Sequence, residues 1–266
     1  MSSITTKTVF SYLAVTMAIV FLAVTVNVSC GSYSQAHRGM ETLLVDRNGP
    51  PVDAFALIYV EIIIQPGECI SKSKECSEII KQLPNITSRR TGSGLNMWHN
   101  GKEHIITAEH VCTEDIPKKF EHKGVAFTVT QTIKIEAHST NGRVFKAKIA
   151  ALDKDEDLCA LKVDDHFSVP VKLAAQPPLL GSKVYSVAAP YGLAGTNLAL
   201  TFTGYYSGKR SGRHYYTIPT RPGSSGAIVL NENFEAIGSL HTAYVPLENV
   251  GIGAGWQGLK MFLDAL

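Results

Sequence analysis

The sequence predicts an all-β barrel or sandwich, and three observations carry that expectation. From residue 54 onward, short apolar or alternating runs recur at close spacing with turn residues between them. Helical periodicity is confined to two brief stretches. No internal repeat or low-complexity segment points to another architecture. A chain of 266 residues with 45% hydrophobic content can bury a substantial core without a disulfide scaffold. The formal net charge is +2 with no basic block, so nucleic acid is not an implied partner.

The N-terminus stands apart from the rest. Thr8 to Ala36 carries no charge, and Val9 to Val28 is almost continuously apolar, about long enough to cross a bilayer as a helix. Lys7 and the terminal amine precede it, which suits an N-in orientation. Residues 1–30 therefore read as an uncleaved signal anchor, a cleaved signal peptide ending near Ser29-Cys30-Gly31, or a lipidation signal at Cys30. Each reading makes the chain a membrane partner in transit or for good, and each places the remainder on the extracytoplasmic side. Residues 31–52, with Gly49-Pro50-Pro51, read as a linker.

The strands follow in order. Ala54 to Ile64 is rich in β-branched residues, and Gly94 to Trp98 and His104 to Thr107 flank the turn Asn100-Gly101, a hairpin signal. Val125 to Ala137, Val144 to Leu152, Leu158 to Val163, Lys183 to Ala188 and Leu198 to Tyr206 continue the series. Ala227 to Leu230 pairs with Ala236 to His241 across Asn231-Glu232-Asn233. The two helical stretches are Glu75 to Leu83 and a C-terminal Gly255 to Leu266, with Trp256, Leu259, Phe262 and Leu263 facing inward. Pro66 to Arg90 reads as an insertion between the first two strands, suited to regulation or docking.

Export sharpens the reading of the cysteines. Cys69 and Cys76 share one polar segment and suit a small-loop disulfide. Cys112 and Cys159 read as buried thiols or as a second pair. A metal site from His110, Cys112 and Cys159 lacks a fourth ligand at zinc spacing, so no metal or other cofactor is expected. Asn85-Ile86-Thr87 fits a glycosylation sequon.

Three segments carry chemistry. A serine hydroxyl attacks a carbonyl only when a base removes its proton, and histidine is the natural base near neutral pH. His110 stands where the chain leaves the apolar strand Ile105-Ile106-Thr107-Ala108, a place from which a side chain can face a cleft. Of the alternating acids Asp153, Asp155 and Asp157, only Asp157 abuts the apolar strand Leu158 to Val163, so it is the candidate to orient the imidazole and the other two read as surface charges. Ser225, in Arg221-Pro222-Gly223-Ser224-Ser225-Gly226-Ala227, is the candidate nucleophile. The amides of Gly223 and Ser225 can converge as an oxyanion hole if Gly223 adopts a backbone conformation that a side chain disfavours. A lipase-type elbow would need glycine where Ala227 stands and would place its acid and histidine after the serine, and beyond Ser225 the one histidine is His241.

These segments resemble the chymotrypsin-fold (PA clan) serine endopeptidases, and within them the trypsin-like peptidases of the HtrA (DegP) type. The resemblance is carried by Gly92-Ser93-Gly94, Thr107-Ala108-Glu109-His110-Val111, Asp157-Leu158-Cys159-Ala160-Leu161, Ala189-Pro190-Tyr191-Gly192-Leu193, Pro222-Gly223-Ser224-Ser225-Gly226 and Gly251-Ile252-Gly253-Ala254. It implies two packed six-stranded antiparallel β-barrels, about 53–168 and 169–266, with a short C-terminal helix and the site in the cleft between them. It implies His110 as base, Asp157 as acid, Ser225 as nucleophile, and the amides of Gly223 and Ser225 as the oxyanion hole. It also implies protein or peptide substrates. The departures are Ala227 in place of a second glycine, whose methyl could narrow the substrate pocket, and no PDZ domain expected after the last helix.

The resemblance frames the substrate pocket with Ile218 to Arg221, including Pro219 and Thr220, and with the strand holding His241 and Thr242. In glutamyl-specific and viral relatives of this fold, a histidine on that strand reads an acidic or amide P1 side chain. His241 is one residue out of register by direct counting from Ser225, an offset that a bulge at Asn231 to Phe234 could absorb. A P1 glutamate or glutamine and a small aliphatic P1 both stay open. The expected function is an exported or membrane-tethered serine endopeptidase. The alternatives are a catalytically silent protease-fold binding protein and an enzyme active only when assembled or bound.

Overall fold

The structure, a computed structural model, describes residues 49–70, 74–122, 124–244, 246–247 and 249–266. The apolar segment expected as a hydrophobic helix, residues 1–30, and most of the linker lie outside the described residues. No helix among the described residues is long and apolar enough to cross a membrane.

The first half is a closed antiparallel barrel. It is built from β1 (Phe55–Cys69), β2 (Ile86–His99), β3 (Lys102–Thr107), β5 (Val125–Ser139), β6 (Val144–Asp153) and β7 (Leu158–Val163). Their order, β1-β2-β3-β7-β6-β5, closes through a long β1–β5 ladder from Ala56↔Ser139 to Cys69↔Phe127. Closure removes the sheet edges that would otherwise need protection. Strand β4 (Lys119–His122) adds to β5, and β8 (Val171–Lys172) pairs in parallel with β2. Asn100 and Gly101, at φ 48° and 80°, make the two-residue turn between β2 and β3, with His99 opposite Lys102.

The second half is a seven-stranded sheet of β9 (Lys183–Ala188), β10 (Leu200–Arg210), β11 (Arg213–Tyr216), β12 (Ile228–Leu230), β13 (Ala236–Ser239), β14 (Thr242–Ala243) and β15 (Gly251–Gly253). Its order is β13-β12-β9-β10-β11-β15-β14. The two ends approach through an isolated Gly238–Gly255 bridge and a bond from the Ser239 amide to the Ala254 carbonyl, 3.0 Å. Helices among the described residues are few: α1 (Lys74–Gln82), the single turn α2 (Glu109–Cys112), and α3 (Trp256–Asp264), with a 3-10 turn at Pro190–Gly192.

Three apolar clusters divide the core. One fills the first barrel, with Ile58, Val60, Ile62, Ile105, Leu161 and Phe167. Another fills the second sheet, with Val184, Tyr216, Ile218, Val229 and Leu240. The third joins them: Phe55, Leu95 and Met97 from the first half meet Val187, Ile228 and Leu230 from the second. Leu259, Phe262 and Leu263 of α3 lie on this seam, the face that the helical spacing predicted.

The insertion differs from its expectation. Strand β1 runs on through Pro66 to Cys69, and β2 starts at Ile86, so only α1 and its flanks stand outside the ladders. The β1–β2 ladder ends at Ile64↔Ile86. Pro66 therefore lies where β1 is paired on the β5 side alone, and its missing N–H costs no bond. The sulfurs of Cys69 and Cys76 are bonded across this corner, with Cα atoms 6.0 Å apart.

Candidate active site

Each candidate side chain is delivered by the end of a strand. His110 is on the single turn α2, directly after β3, and its side chain is about half exposed at 47%. Asp157 ends the turn between β6 and β7 at φ 54°, a left-handed conformation that aspartate tolerates better than most residues. Asp153 is not merely a surface charge. Its carboxylate accepts the amides of Asp155 and Glu156, each at 3.0 Å, and so shapes the turn that presents Asp157.

His110 and Asp157 meet closely. The His110 Nδ1 lies 2.8 Å from Asp157 Oδ2 and 3.0 Å from Oδ1, and the His110 amide donates to Oδ1 at 3.0 Å. The Glu109 amide donates to the Asp157 carbonyl at 3.2 Å. Burial works against the Asp157 charge, but the His110 side chain, His241 and the His110 amide outweigh it and hold the carboxyl below its usual value. Cys112 and Cys159, two residues beyond His110 and Asp157, are disulfide-bonded with an S–S length of 2.07 Å. Their sulfurs are thereby consumed, which removes the zinc alternative. No group of three His, Cys, Asp or Glu side chains among the described residues could hold a metal.

Ser225 lies in a loop held to both halves. Its carbonyl accepts the Ser93 amide at 2.8 Å, and the Gly226 amide donates to the Leu240 carbonyl at 2.7 Å. Gly226 sits at φ 85°, and a Cβ there would stand 2.2 Å from Thr107 Oγ1 and 2.4 Å from the Ser93 carbonyl. The loop thus nests on the strand end that carries His110. At rest the Ser225 hydroxyl donates to the His241 carbonyl at 3.0 Å, and no bond joins it to His110.

The amides of Gly223 and Ser225 are free by construction. A trans peptide points its C=O and N–H in opposite directions. The Pro222 carbonyl is pinned by the Tyr191 amide at 2.6 Å, so the Gly223 N–H faces the other way. The Ser224 carbonyl accepts the Ala227 amide at 3.1 Å, which points the Ser225 N–H away from that bond. Gly223 takes φ 93°, and a Cβ on it would meet the Ala189 carbonyl at 2.4 Å. Two such amides can stabilise an oxyanion.

Ser93 is a residue that sequence reasoning quoted without giving it a task. Fully buried, it donates its hydroxyl to the Gly223 carbonyl at 2.8 Å and accepts the Ala189 amide at 2.9 Å. Its neighbours are small for cause: a Cβ at Gly92 would meet Val111 at 2.6 Å and the Ser225 carbonyl at 3.2 Å. The signal was the triplet Gly92-Ser93-Gly94 itself. Arg90 adds a brace behind His110, donating to the carbonyls of Val111 and Thr113.

The substrate-pocket candidates fare unevenly. Pro219 is half-buried and Thr242 is exposed on β14. Thr220 is buried with its hydroxyl turned to the Ile218 carbonyl at 3.2 Å. His241 departs from its expected place. The β12–β13 ladder does shift register, with Val229 opposite Gly238 and Leu230 opposite Ala236, yet the ring is buried and faces Asp157 Oδ2 at 3.5 Å. Strand pairing of the His241 amide with the Ile252 carbonyl, 2.9 Å, sets that direction. Ala227 also differs from expectation: its methyl is buried in the core of the second half instead of narrowing a pocket. A cavity of about 130 Å³ opens elsewhere, between Phe55, Leu57, His138, Arg143 and Thr196, and none of the candidate residues lines it.

Comparison with known proteins agrees with the fold. A crystal structure of the serine endoprotease from Yersinia pestis superposes with a TM-score of 0.52 at 18% identity, covering 77% of this chain and 61% of that one. This chain thus spans about six-tenths of that relative's length. No curated protein matches the chain. The family model for the trypsin-like peptidase domain matches residues 92–238, more than half of the sequence and all of the strands from which His110, Asp157 and Ser225 emerge, and the chain belongs to that family.

Proposed function

We propose that the protein is a serine endopeptidase in which Ser225 is the nucleophile, His110 the base and Asp157 the residue that orients it. The carrying observation is the His110–Asp157 contact at 2.8 Å, and the unbonded amides of Gly223 and Ser225 support it. The Ser225 hydroxyl turns from the His241 carbonyl toward His110 and attacks the scissile carbonyl carbon while His110 takes its proton. The C–O bond forms, and the negative charge on the substrate oxygen is met by the two N–H groups. His110 returns the proton to the departing amine as the C–N bond breaks, leaving an acyl-enzyme. Water then repeats the sequence to release the acid and restore Ser225. Substrates are proteins or peptides.

We further read the enzyme as exported and held at a membrane through residues 1–30, with 31–52 as tether and 53–266 as the protease, its halves meeting near 168. Two disulfides support an oxidising compartment, and the uncharged run from Thr8 to Ala36 supports passage through a membrane.

One observation favours a second reading. The resting Ser225 hydroxyl is engaged by the His241 carbonyl, as it would be in a catalytically silent binding protein or in an enzyme awaiting a trigger. Labelling the full chain with a fluorophosphonate, beside Ser225→Ala, separates these. Ser225-dependent labelling of the protein alone is expected. Equal signals from wild type and Ser225→Ala would reject the enzyme, and labelling that appears only with added peptide would establish the triggered form.

A further inference from the structure

His241 is buried, and its Nδ1 is one of two buried side-chain polar atoms without a hydrogen bond among the described residues. An orphaned buried donor is costly and calls for a reason. The ring touches two polar groups: Ser239 Oγ at 3.0 Å from Nε2, and Asp157 Oδ2 at 3.5 Å from Nδ1. A third group, the Ser225 hydroxyl, is bonded to the His241 carbonyl. One residue therefore contacts both the acid and the nucleophile of the proposed triad.

Chemistry fixes the state of the ring. Burial, opposed by the Asp157 charge and assisted by His110 and Arg213, pushes its pKa down to about 4, so the imidazole is neutral at physiological pH. A neutral ring has one N–H and one bare lone pair. A lone pair at Nδ1 would face the Asp157 carboxylate and repel it, whereas the Ser239 hydroxyl can donate to a bare Nε2. The favoured tautomer carries its proton on Nδ1, aimed at Asp157. The separation of 3.5 Å is an electrostatic contact that stops short of a formed hydrogen bond, the looseness expected of catalytic contacts before substrate binds.

We propose that His241 is a positioning residue for this reaction: its neutral Nδ1–H, set by Ser239, is a third N–H, beside the two of His110, that holds the Asp157 carboxylate toward His110. This rests on Ser225, His110 and Asp157 acting as proposed above. It replaces substrate reading as the task of His241, because both ring nitrogens are buried, one against Ser239 and the other turned to Asp157, and neither is open to a P1 side chain. The groups facing the ring are Asp157 from the turn before β7, His110 from α2, Arg213 from β11 and Ser239 from β13.

The test uses the full chain and its fluorophosphonate labelling rate across pH, with three variants. His241→Asn puts an amide N–H about where Nδ1 stands. His241→Gln puts it near Nε2, and His241→Leu has none. Losing a hydrogen bond to a charged group is expected to slow labelling about tenfold in the Gln and Leu proteins. His241→Asn is expected to stay within about threefold of wild type, on the same basis. Melting temperatures of all three guard against misfolding. Equal rates in all variants, or equal losses that track melting temperature, would overturn the proposal. Nitrogen NMR of the wild-type ring provides an arm independent of activity: a protonated Nδ1 and bare Nε2 are expected at pH 7, and the reverse tautomer would refute it. Absent Ser225-dependent labelling in wild type would instead reject the protease reading, leaving the tautomer to decide the His241–Asp157 contact.

Discussion

Gly223 and Gly226 are glycines for two separate reasons that act together. Each has a positive φ, and each has backbone where a Cβ would go, at 2.4 Å in both cases. Replacing Gly223 by alanine forces the loop away from the Ala189 carbonyl and turns its N–H off target. If the proposed oxyanion hole holds, Gly223→Ala should cost about 100- to 1000-fold in turnover, the usual cost of one lost donor. Ser93 acts one step back from the same donor. Ser93→Ala leaves the Gly223 carbonyl and the Ala189 amide without their partner in a dry site, at about 1–3 kcal/mol for an unsatisfied group. The variant should show both a lowered melting temperature and a slower fluorophosphonate reaction. A full labelling rate in Ser93→Ala would mean that the Pro222–Tyr191 bond alone orients the loop. His110, Asp157 and Ser225 could be singled out as candidates in the sequence because each stands in its own local pattern. The place of His241 was not, since it depends on strand pairing and a register shift that local sequence does not encode.

At the scale of elements, what could be read depended on length and on contrast. The β2–β3 hairpin was announced by Asn100-Gly101, β9 was legible at both ends, and α3 by the spacing of its apolar residues. Strands of two or three residues, such as β8, β14 and β15, are too short to show a period. Pro66 was read as the start of an insertion, and β1 continues through it because, with β2 pairing over beyond Ile64, the missing N–H of proline costs no bond. The Cys112–Cys159 bond is the element-level feature closest to the chemistry. It ties α2 to β7 two residues past His110 and Asp157, closing 47 residues of chain. Chain-entropy reasoning gives a bond over such a loop about 4 kcal/mol. Replacing both cysteines by alanine should lower stability by about that much, readable in urea unfolding. Because the bond also fixes the strand ends that bear His110 and Asp157, the proposed base and acid, labelling should slow further than the folded fraction explains. A rate that follows the folded fraction alone would confine the disulfide to stability.

For the whole molecule, the seam between the halves is both core and frame of the candidate site. Phe55, Leu95, Val187, Ile228 and the α3 residues Leu259 and Phe262 bind the halves together. The polar contacts of Ser93 with Ser225 and Gly223, and of His241 with Asp157, cross the same boundary at the candidate residues. A buried neutral histidine in such a seam makes global stability depend on pH, with a sign that can be worked out. The His241 pKa is about 4 in the folded protein against a reference of 6.5, so between those values the unfolded chain binds the proton and the folded one does not. Stability then falls as the pH drops from 6.5, and the loss levels off below the folded value. A shift of that size is worth about 3 kcal/mol, a large share of the ~5–15 kcal/mol that typically separates folded from unfolded protein. Burial also lowers His104 and His214, which act in the same direction. Asp157, held below its reference of 3.8, contributes stability above that value and loses it as the pH falls further. The two groups therefore act in successive windows. Urea unfolding of wild type and His241→Asn at pH 7 and pH 4.5 isolates the histidine, because the other groups are common to both proteins. Wild type should lose more stability than the variant over that interval, by an amount approaching the figure above. Equal losses would mean that the ring takes up its proton while folded, and that the seam admits charge at its centre.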